Sequence, residues 1–417
     1  MILSRELRSD WTIASKVIFR FIALYFLIYI LFMFLGKGIF QSLFAWIGQD
    51  VLHVKGRLEY FPTGSGDTTM AYVSLFTQTV LACIGTIIWS FLDRKRPSYN
   101  QFFYWTLIIL RIFLIFFMFS YGFVKIFKGQ FPGPSLGRLL QPLGEMSPMG
   151  LAWTYMGHSE GFNMFVGGME VLGGLLLIPR KTLTLGAFIT VGVMTQVAMM
   201  NFFYDIPVKL FSVHLALMAL VIFLADWKRF TQVFIKNQTA LAIQYYKVSD
   251  DKLYKNFIIG FKIIAMLFLI GSMSWRGYNA ERQYGDKREK PVLYGIWETT
   301  TFIKNRDTIP PLLTDTNRWR RLIISYKERA NIQVMNDSMT RTSFIVDTTN
   351  AKIYIDSKRG VDDVLMYTLS GKNHDELYLE GVSNGDSLKI YLKAKDLSKI
   401  ELTNRGFHWI NETPYNR

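Results

Sequence analysis

The chain has 417 residues, half of them hydrophobic, 16% aromatic and only 19% charged, which excludes a disordered polypeptide and argues against a wholly water-soluble globule. Its net charge of +15 is concentrated in the apolar part: the segment through Trp275 carries +11 and the remainder +4. Basic residues in short loops between hydrophobic runs follow positive-inside topology, not a phosphate-tracking groove, so nucleic acid is not an expected partner. The single cysteine, Cys83, excludes an intramolecular disulfide, a paired-thiol redox centre and a cysteine-ligated cluster.

A membrane-spanning helix needs about 20 mainly apolar residues. Seven runs approach that length: Ile13 to Leu35, Met70 to Leu92, Phe102 to Val124, Gly161 to Ile178, Leu183 to Phe203, Val208 to Ala225 and Asn256 to Trp275, the fourth and sixth being the shortest. The first is followed by no small-x-small cleavage site and is read as a retained anchor. Arg5, Arg8 and Lys16 precede the first run, Arg94, Lys95 and Arg96 follow the second, Arg180 and Lys181 the fourth, and Lys228, Arg229 and Lys236 the sixth. All fall on one side if the amino terminus is cytoplasmic, and seven spans then put the carboxyl-terminal part outside. Arg20 and Lys262, inside their runs but near the cytoplasmic ends, are expected to snorkel. Ile39 to Val54 and Trp227 to Phe234 have apolar residues at helical spacing and are expected to lie along the outer and inner interfaces.

After Trp275 the period changes to short alternating stretches. Strands are expected at Leu293 to Ile303, Arg320 to Tyr326, Ile332 to Met335, Thr342 to Asp347, Lys352 to Asp356, Val364 to Leu369, Glu376 to Leu379, Ser387 to Leu392 and Ile400 to Leu402, with turn chemistry between them such as Ser383-Asn384-Gly385-Asp386. A meandering antiparallel barrel follows. Gly295-Ile296-Trp297 in its first strand resembles the G-x-W signature of the lipocalins, up-and-down barrels that often hold lipophilic ligands. That resemblance implies that Trp297 plugs the barrel base and that Arg405, in Asn404-Arg405-Gly406-Phe407-His408-Trp409, packs over it. The alternative is that Trp297 and Trp409 are ordinary core residues of a barrel filled by its own side chains.

Ionisable groups within apolar helices usually face the protein interior and pair with one another. Arg111 lies in the third run, Glu170 in the fourth, Gln196 and Asn201 late in the fifth and His214 early in the sixth, while Asp205 and Lys209 frame the turn between the last two and Lys125 ends the third. An Arg111 to Glu170 pair is the first expectation, since opposite charges at similar depth compensate each other. Two readings stand. In one the cluster is a site opening outward, with His214 and Lys209 donating to a carbonyl or anion and Glu170 exchanging a proton. In the other it locks helix packing, with Asp205 and Lys209 fixing a tight turn. No His-x-x-x-His pair or Glu-x-x-His repeat marks a metal site, although His158 and Glu160 are close in sequence.

Between Phe102 and Asp226 the chain resembles the DoxX family, a four-helix membrane module. The carrying segments are Leu110-Arg111-Ile112 through Tyr121-Gly122-Phe123-Val124-Lys125, Gly168-Met169-Glu170-Val171-Leu172-Gly173-Gly174, and Asn201-Phe202-Phe203-Tyr204-Asp205-Ile206-Pro207-Val208-Lys209-Leu210 with Ser212-Val213-His214. The resemblance implies a bacterial cytoplasmic membrane, a quinone as the expected cofactor and membrane redox subunits as the expected partners. The sequence thus divides into two leading spans with an outer loop (1–101), a DoxX-like four-helix bundle (102–226), a cytoplasmic amphipathic segment with a seventh span (227–275) and a periplasmic lipocalin-like β-barrel (276–417). A quinone-linked redox function and a non-enzymatic envelope function, in which the barrel binds a lipid, peptide or partner protein, are both open. A transporter would be expected to show inverted repeats or paired broken helices, which the sequence does not display.

Overall fold

The computed structural model describes residues 11–416 apart from 37, 57, 60–62, 241–245, 247, 250 and 356–362. The expected Arg5, Arg8 and Asp356 lie outside the described residues. Each of the seven apolar runs is helical: α1 (Ile13–Leu35), α3 (Thr69–Leu92), α4 (Asn100–Ile126), α7 (Glu160–Leu176), α8 (Leu183–Phe203), α9 (Lys209–Leu224) and α11 (Lys252–Gln283). Between α1 and α3 the expected interfacial segment forms a short α2 (Gln41–Trp46) running into a π turn at Ile47–Val51. The connection from α4 to α7 contains α5 (Leu136–Leu140) and α6 (Pro148–His158).

Among the described residues five helices, α1, α3, α4, α8 and α11, are long and apolar enough to cross a membrane, and α9 joins them if it is counted with α10 (Trp227–Phe234), from which it is bent by 71°. At 17 residues α7, about 25 Å of helix, stays below that length, and α9 alone has 16 residues. The helices share an apolar core in which Phe19, Leu110, Leu114, Met118, Ala187, Leu215 and Met218 are buried, and a smaller one where Phe44 of α2 meets Phe32, Met70 and Val73.

Two compact units organise the chain. One comprises Met1–Gln130 with Gly161–Asn279, and the other Phe131–Glu160 with Ala280–Arg417. The α4–α7 connection therefore folds with the carboxyl-terminal sheet, a grouping the four-segment division does not contain.

That sheet has nine strands: β1 (Gly295–Lys304), β2 (Asp307–Thr308), β3 (Trp319–Tyr326), β4 (Arg329–Val334), β5 (Met339–Asp347), β6 (Lys352–Ile355), β7 (Asp363–Ser370), β8 (Glu376–Ser383) and β9 (Asp386–Ala394). Every neighbouring pair is antiparallel, and β9 returns to pair with β1 from Trp297↔Ala394 to Lys304↔Leu388, closing an eight-stranded barrel with β2 as a short addition to β1. The turn at Asn384-Gly385 has positive φ at both residues (53° and 81°), the conformation a two-residue hairpin needs.

Alternation places Trp297, Leu322 and Ile324 in the interior with Phe302, Phe344, Ile353, Leu379 and Ile390. Ile296 and Ile323, paired in register, point the other way and are covered by Leu136 with Leu139 and Leu140 of α5, and by Leu397 and Ile400. This outer apolar pair explains why α5 belongs to the barrel unit. It also corrects the expected strand at Ile400 to Leu402: Ile400 serves the outer patch and the chain then coils into α12 (Glu401–Asn404). Arg405, the C-cap of α12, does not pack over Trp297. Its guanidinium lies 3.8 Å from the Tyr415 ring centroid and donates to Asn411, while Trp297 Nε1 donates to the Leu293 carbonyl at 3.0 Å. Gly295 opens β1 directly beside that indole nitrogen.

On the β1–β3 face Glu298 Oε1 accepts from Arg321 Nε (3.1 Å) and Lys395 Nζ (3.0 Å). Partial burial works to raise its carboxyl, but these hydrogen bonds and charges outweigh it and hold the group below the ordinary glutamate value. A depressed carboxylate stabilises the fold above the unfolded-state value and loses that contribution as pH falls through the folded value. The barrel's thermal midpoint is therefore expected to fall below pH about 4.5 less steeply in Glu298→Gln than in wild type. Near-ultraviolet circular dichroism across a pH series checks this, and parallel curves for the two proteins would refute it.

Candidate functional site

Two helical glycines set the geometry at the α4–α7 crossing. A Cβ on Gly122 would lie 2.8 Å from the Gly167 carbonyl oxygen, and one on Gly167 would lie 2.5 Å from the Gly122 oxygen, so the backbones meet directly. One turn onward from Gly122, Lys125 reaches Glu170 and donates to both carboxylate oxygens at 2.9 Å, with the two side chains 4% and 1% exposed. The Tyr121 ring, one turn before Lys125 on the same helix face, lies 5.4 Å from the ammonium.

Arg111 is not the partner of Glu170. It donates instead to the carbonyl oxygens of Leu177 and Ile178, just past the end of α7. Arg111 is thereby level with the α7–α8 turn, while Glu170 lies about two helical turns before that end.

His214 is the second focus. Its Nδ1 is 2.6 Å from the Leu210 carbonyl, which can only accept, so Nδ1 carries a proton and in the neutral ring Nε2 accepts from the Tyr25 hydroxyl at 3.0 Å. The imidazole lies flat against Tyr29, centroids 4.0 Å apart and planes 4° from parallel. Tyr29 also meets Phe113, and Phe117, Tyr121 and Phe211 continue the aromatic surface, with centroid separations of 4.7–6.4 Å along the way, linking the histidine to the Tyr121–Lys125–Glu170 group. A continuous set of rings from α1, α4 and α9 thus joins the Tyr25–His214–Leu210 hydrogen-bond chain to a buried ion pair.

The remaining expected residues serve the α8–α9 turn. Asn201 donates to Ser212 Oγ (2.9 Å) and the Val208 carbonyl (3.4 Å). Lys209 pairs with the exposed Asp205 at 2.8 Å. Asp67, from the loop before α3, accepts from the backbone N–H groups of Lys209 (2.7 Å) and Leu210 (3.0 Å), capping the start of α9. Gln196 is exposed and outside the cluster. Arg20 does not snorkel: it is buried and donates to the Tyr99 hydroxyl, Ser90 Oγ and the Asp93 carbonyl.

Tyr25, Tyr29, Tyr121 and Asp67 were not singled out by sequence reasoning. The available signal is the i, i+4 spacing of Tyr25 with Tyr29 and of Tyr121 with Lys125, which puts each pair on one helix face.

No protein-family model matches the chain, and no solved structure matches it. Among curated proteins, the chain is similar to the uncharacterized protein YwoB of Bacillus subtilis (strain 168), with 32% identity over 126 residues, a stretch that is 30% of this chain and 79% of YwoB.

Proposed function

The chain belongs to the family of the Bacillus subtilis protein YwoB, and from that premise we propose that it is an integral protein of a bacterial cytoplasmic membrane whose bundle binds a planar, quinone-like dicarbonyl. The observation that carries this reading is His214, hydrogen-bonded to Tyr25 and stacked on Tyr29, joined by aromatic rings to the Lys125–Glu170 pair. A quinone headgroup is a flat ring with an acceptor oxygen at each end. Such a ligand needs aromatic walls and hydrogen-bond donors separated by roughly a ring, and its reduction requires protons delivered to those oxygens. Tyr25 provides one polar end by turning its hydroxyl from His214 Nε2 to the ligand oxygen, and Lys125 provides the other. The bundle then corresponds to a DoxX-like module working with redox partner subunits.

The buried pair lies toward the carboxyl end of α4, and the basic loops lie at the other ends of the helices. On the positive-inside rule the amino terminus is cytoplasmic and the barrel periplasmic. The barrel is read as lipocalin-like in closure, and among the described residues sixteen buried side chains meet in one cluster in its interior.

Gentle detergent extraction followed by solvent release and mass analysis is expected to recover a quinone in stoichiometric amount. Tyr25→Phe and His214→Ala are expected to lose it while keeping wild-type helix content. Wild-type quinone content in both variants, or no quinone after reconstitution with ubiquinone or menaquinone analogues, overturns the reading.

A further inference from the structure

The dipeptide Asp67-Thr68 caps two helices at once. Thr68 is the N-cap of α3, and its hydroxyl accepts from the Ala71 N–H, the local arrangement a threonine makes before a helix. Asp67 reaches a helix that begins 142 residues later: its Oδ2 accepts from the Lys209 N–H at 2.7 Å and its Oδ1 from the Leu210 N–H at 3.0 Å. Val208, the N-cap residue of α9, has no side-chain oxygen and makes no capping bond of its own. Gly66 adds a backbone clamp, donating its N–H to the Pro207 carbonyl at 2.7 Å. The Asp67 side chain is 7% exposed, with the Lys209 ammonium 4.0 Å from Oδ2.

What these contacts hold in place is Leu210. Its N–H is one of the two donors that Asp67 binds, and its carbonyl is the group 2.6 Å from His214 Nδ1. In the first turn of a helix no earlier carbonyl is in place to accept from these N–H groups, so without the Asp67 carboxylate the turn that carries Leu210 is free to fray. The other partner of the imidazole does not choose between its tautomers. A tyrosine hydroxyl both donates and accepts, so Tyr25 suits His214 Nε2 with or without a proton, whereas a carbonyl accepts only and requires the proton on Nδ1.

We propose that Asp67 is a positioning residue for His214: by capping α9 it holds the Leu210 carbonyl where it fixes the proton on Nδ1, and so leaves Nε2 as the acceptor that orients the Tyr25 hydroxyl. The functional meaning of this role rests on the ligand reading above, because Tyr25 is the group that meets the ligand. The geometric role does not depend on what the ligand is.

Solid-state nuclear magnetic resonance of the full chain in vesicles, with nitrogen-15 in the histidine rings, reads the tautomer directly at pH about 8, where an ordinary imidazole is neutral. The protein has five histidines, and the signal that disappears in His214→Gln is the one to follow. Wild type is expected to carry the proton on Nδ1 and Asp67→Ala to show a mixture of both tautomers. Asp67→Asn keeps the volume but offers one oxygen and turns an amide donor toward the second N–H, so an intermediate pattern is expected. Asp205→Ala removes only the exposed partner of Lys209 and is expected to match wild type. Quinone retained through extraction of the same samples is expected to fall roughly fivefold in Asp67→Ala, the factor that a lost cap implies. A wild-type tautomer pattern in Asp67→Ala, or a shift in Asp205→Ala as large as that in Asp67→Ala, overturns the proposal. If Asp67→Ala does not accumulate, Asp67→Asn decides, and a pattern identical to wild type overturns it. A tautomer shift specific to Asp67 upholds the positioning role whatever the quinone content, while a wild type without quinone removes only the ligand reading.

Discussion

Replacing Glu170 by alanine is expected to destabilise the bundle by about 3–5 kcal/mol, because the Lys125 ammonium is then left buried without its bidentate partner. Lys125→Ala should cost a similar amount by stranding the carboxylate. The double replacement Lys125→Met with Glu170→Leu removes both charges at comparable volume and is expected to be near neutral or stabilising, since desolvating two ions offsets most of their attraction. Thermal unfolding of the detergent-solubilised protein, followed by circular dichroism, measures all three. A single variant that unfolds with the wild type would mean that water reaches the pair, contrary to its burial.

The double variant also separates packing from ligand binding. If it is stable yet empty of quinone, the pair exists for the ligand, since an apolar substitute holds the helices equally well. If it is stable and still loaded, Lys125 and Glu170 fix the register of α4 on α7, and the His214 end alone carries recognition. The close approach at Gly122 and Gly167 bears on the same point. It fixes the helix separation before any charge is placed, so the ion pair is not needed to bring α4 and α7 together.

The helices were legible because a long apolar run has few alternatives: all seven expected runs are helical, with ends displaced by a few residues except at α11, which continues to Gln283. Partner choice was less legible. Pairing Arg111 with Glu170 assumed that both sit at mid-depth, counting from the ends of their apolar runs. Instead α4 has 27 residues against 17 for α7, and its first turns overshoot the α7–α8 turn, so the arginine meets Leu177 and Ile178 while Lys125 arrives opposite the glutamate. A helix's length relative to its neighbours is a tertiary property that its own sequence does not carry. Tyr25, Tyr29 and Tyr121 were hidden for another reason: in a chain that is 16% aromatic, one more tyrosine on an apolar face has no signature until a histidine lies against it.

Strands were read from alternation, which works where one face is buried. It fails at Ile400, whose apolar side chain, with that of Leu397, packs against the outward-facing Ile296 and Ile323 and does not take a ninth barrel position. Likewise Arg405 and Trp409 share a motif-like tail with nothing in sequence to show that it lies outside the barrel. Among the described residues, the buried arginine of this unit is Arg318, which donates to the carbonyls of Ile309 and Trp319. Its signal, an arginine directly before an inward-facing tryptophan, is too common to have been informative.

Trp297 and Trp409, equivalent candidates in the sequence, are expected to differ sharply on truncation. Trp297 is 4% exposed, packs within the barrel cluster and donates its indole N–H to Leu293, whereas Trp409 is 90% exposed and touches Phe407 in the terminal segment. Trp297→Ala removes a large buried side chain from an interior closed on all sides by strand pairing, so the surroundings have little freedom to collapse, and a loss of about 3–5 kcal/mol is expected. Trp297→Phe refills much of the volume but leaves the Leu293 carbonyl without its donor, and its loss should be smaller. Trp409→Ala should change stability by less than about 0.5 kcal/mol, as surface substitutions do. Hydrogen exchange of the β1, β3 and β9 segments in the full-length protein reads the barrel directly, independent of the helices. Protection in Trp297→Ala equal to wild type would show that the tryptophan is not a core residue. A loss in Trp409→Ala as large as that in Trp297→Ala would place the terminal segment inside the cooperative unit and make the barrel's closure depend on more than its eight paired strands.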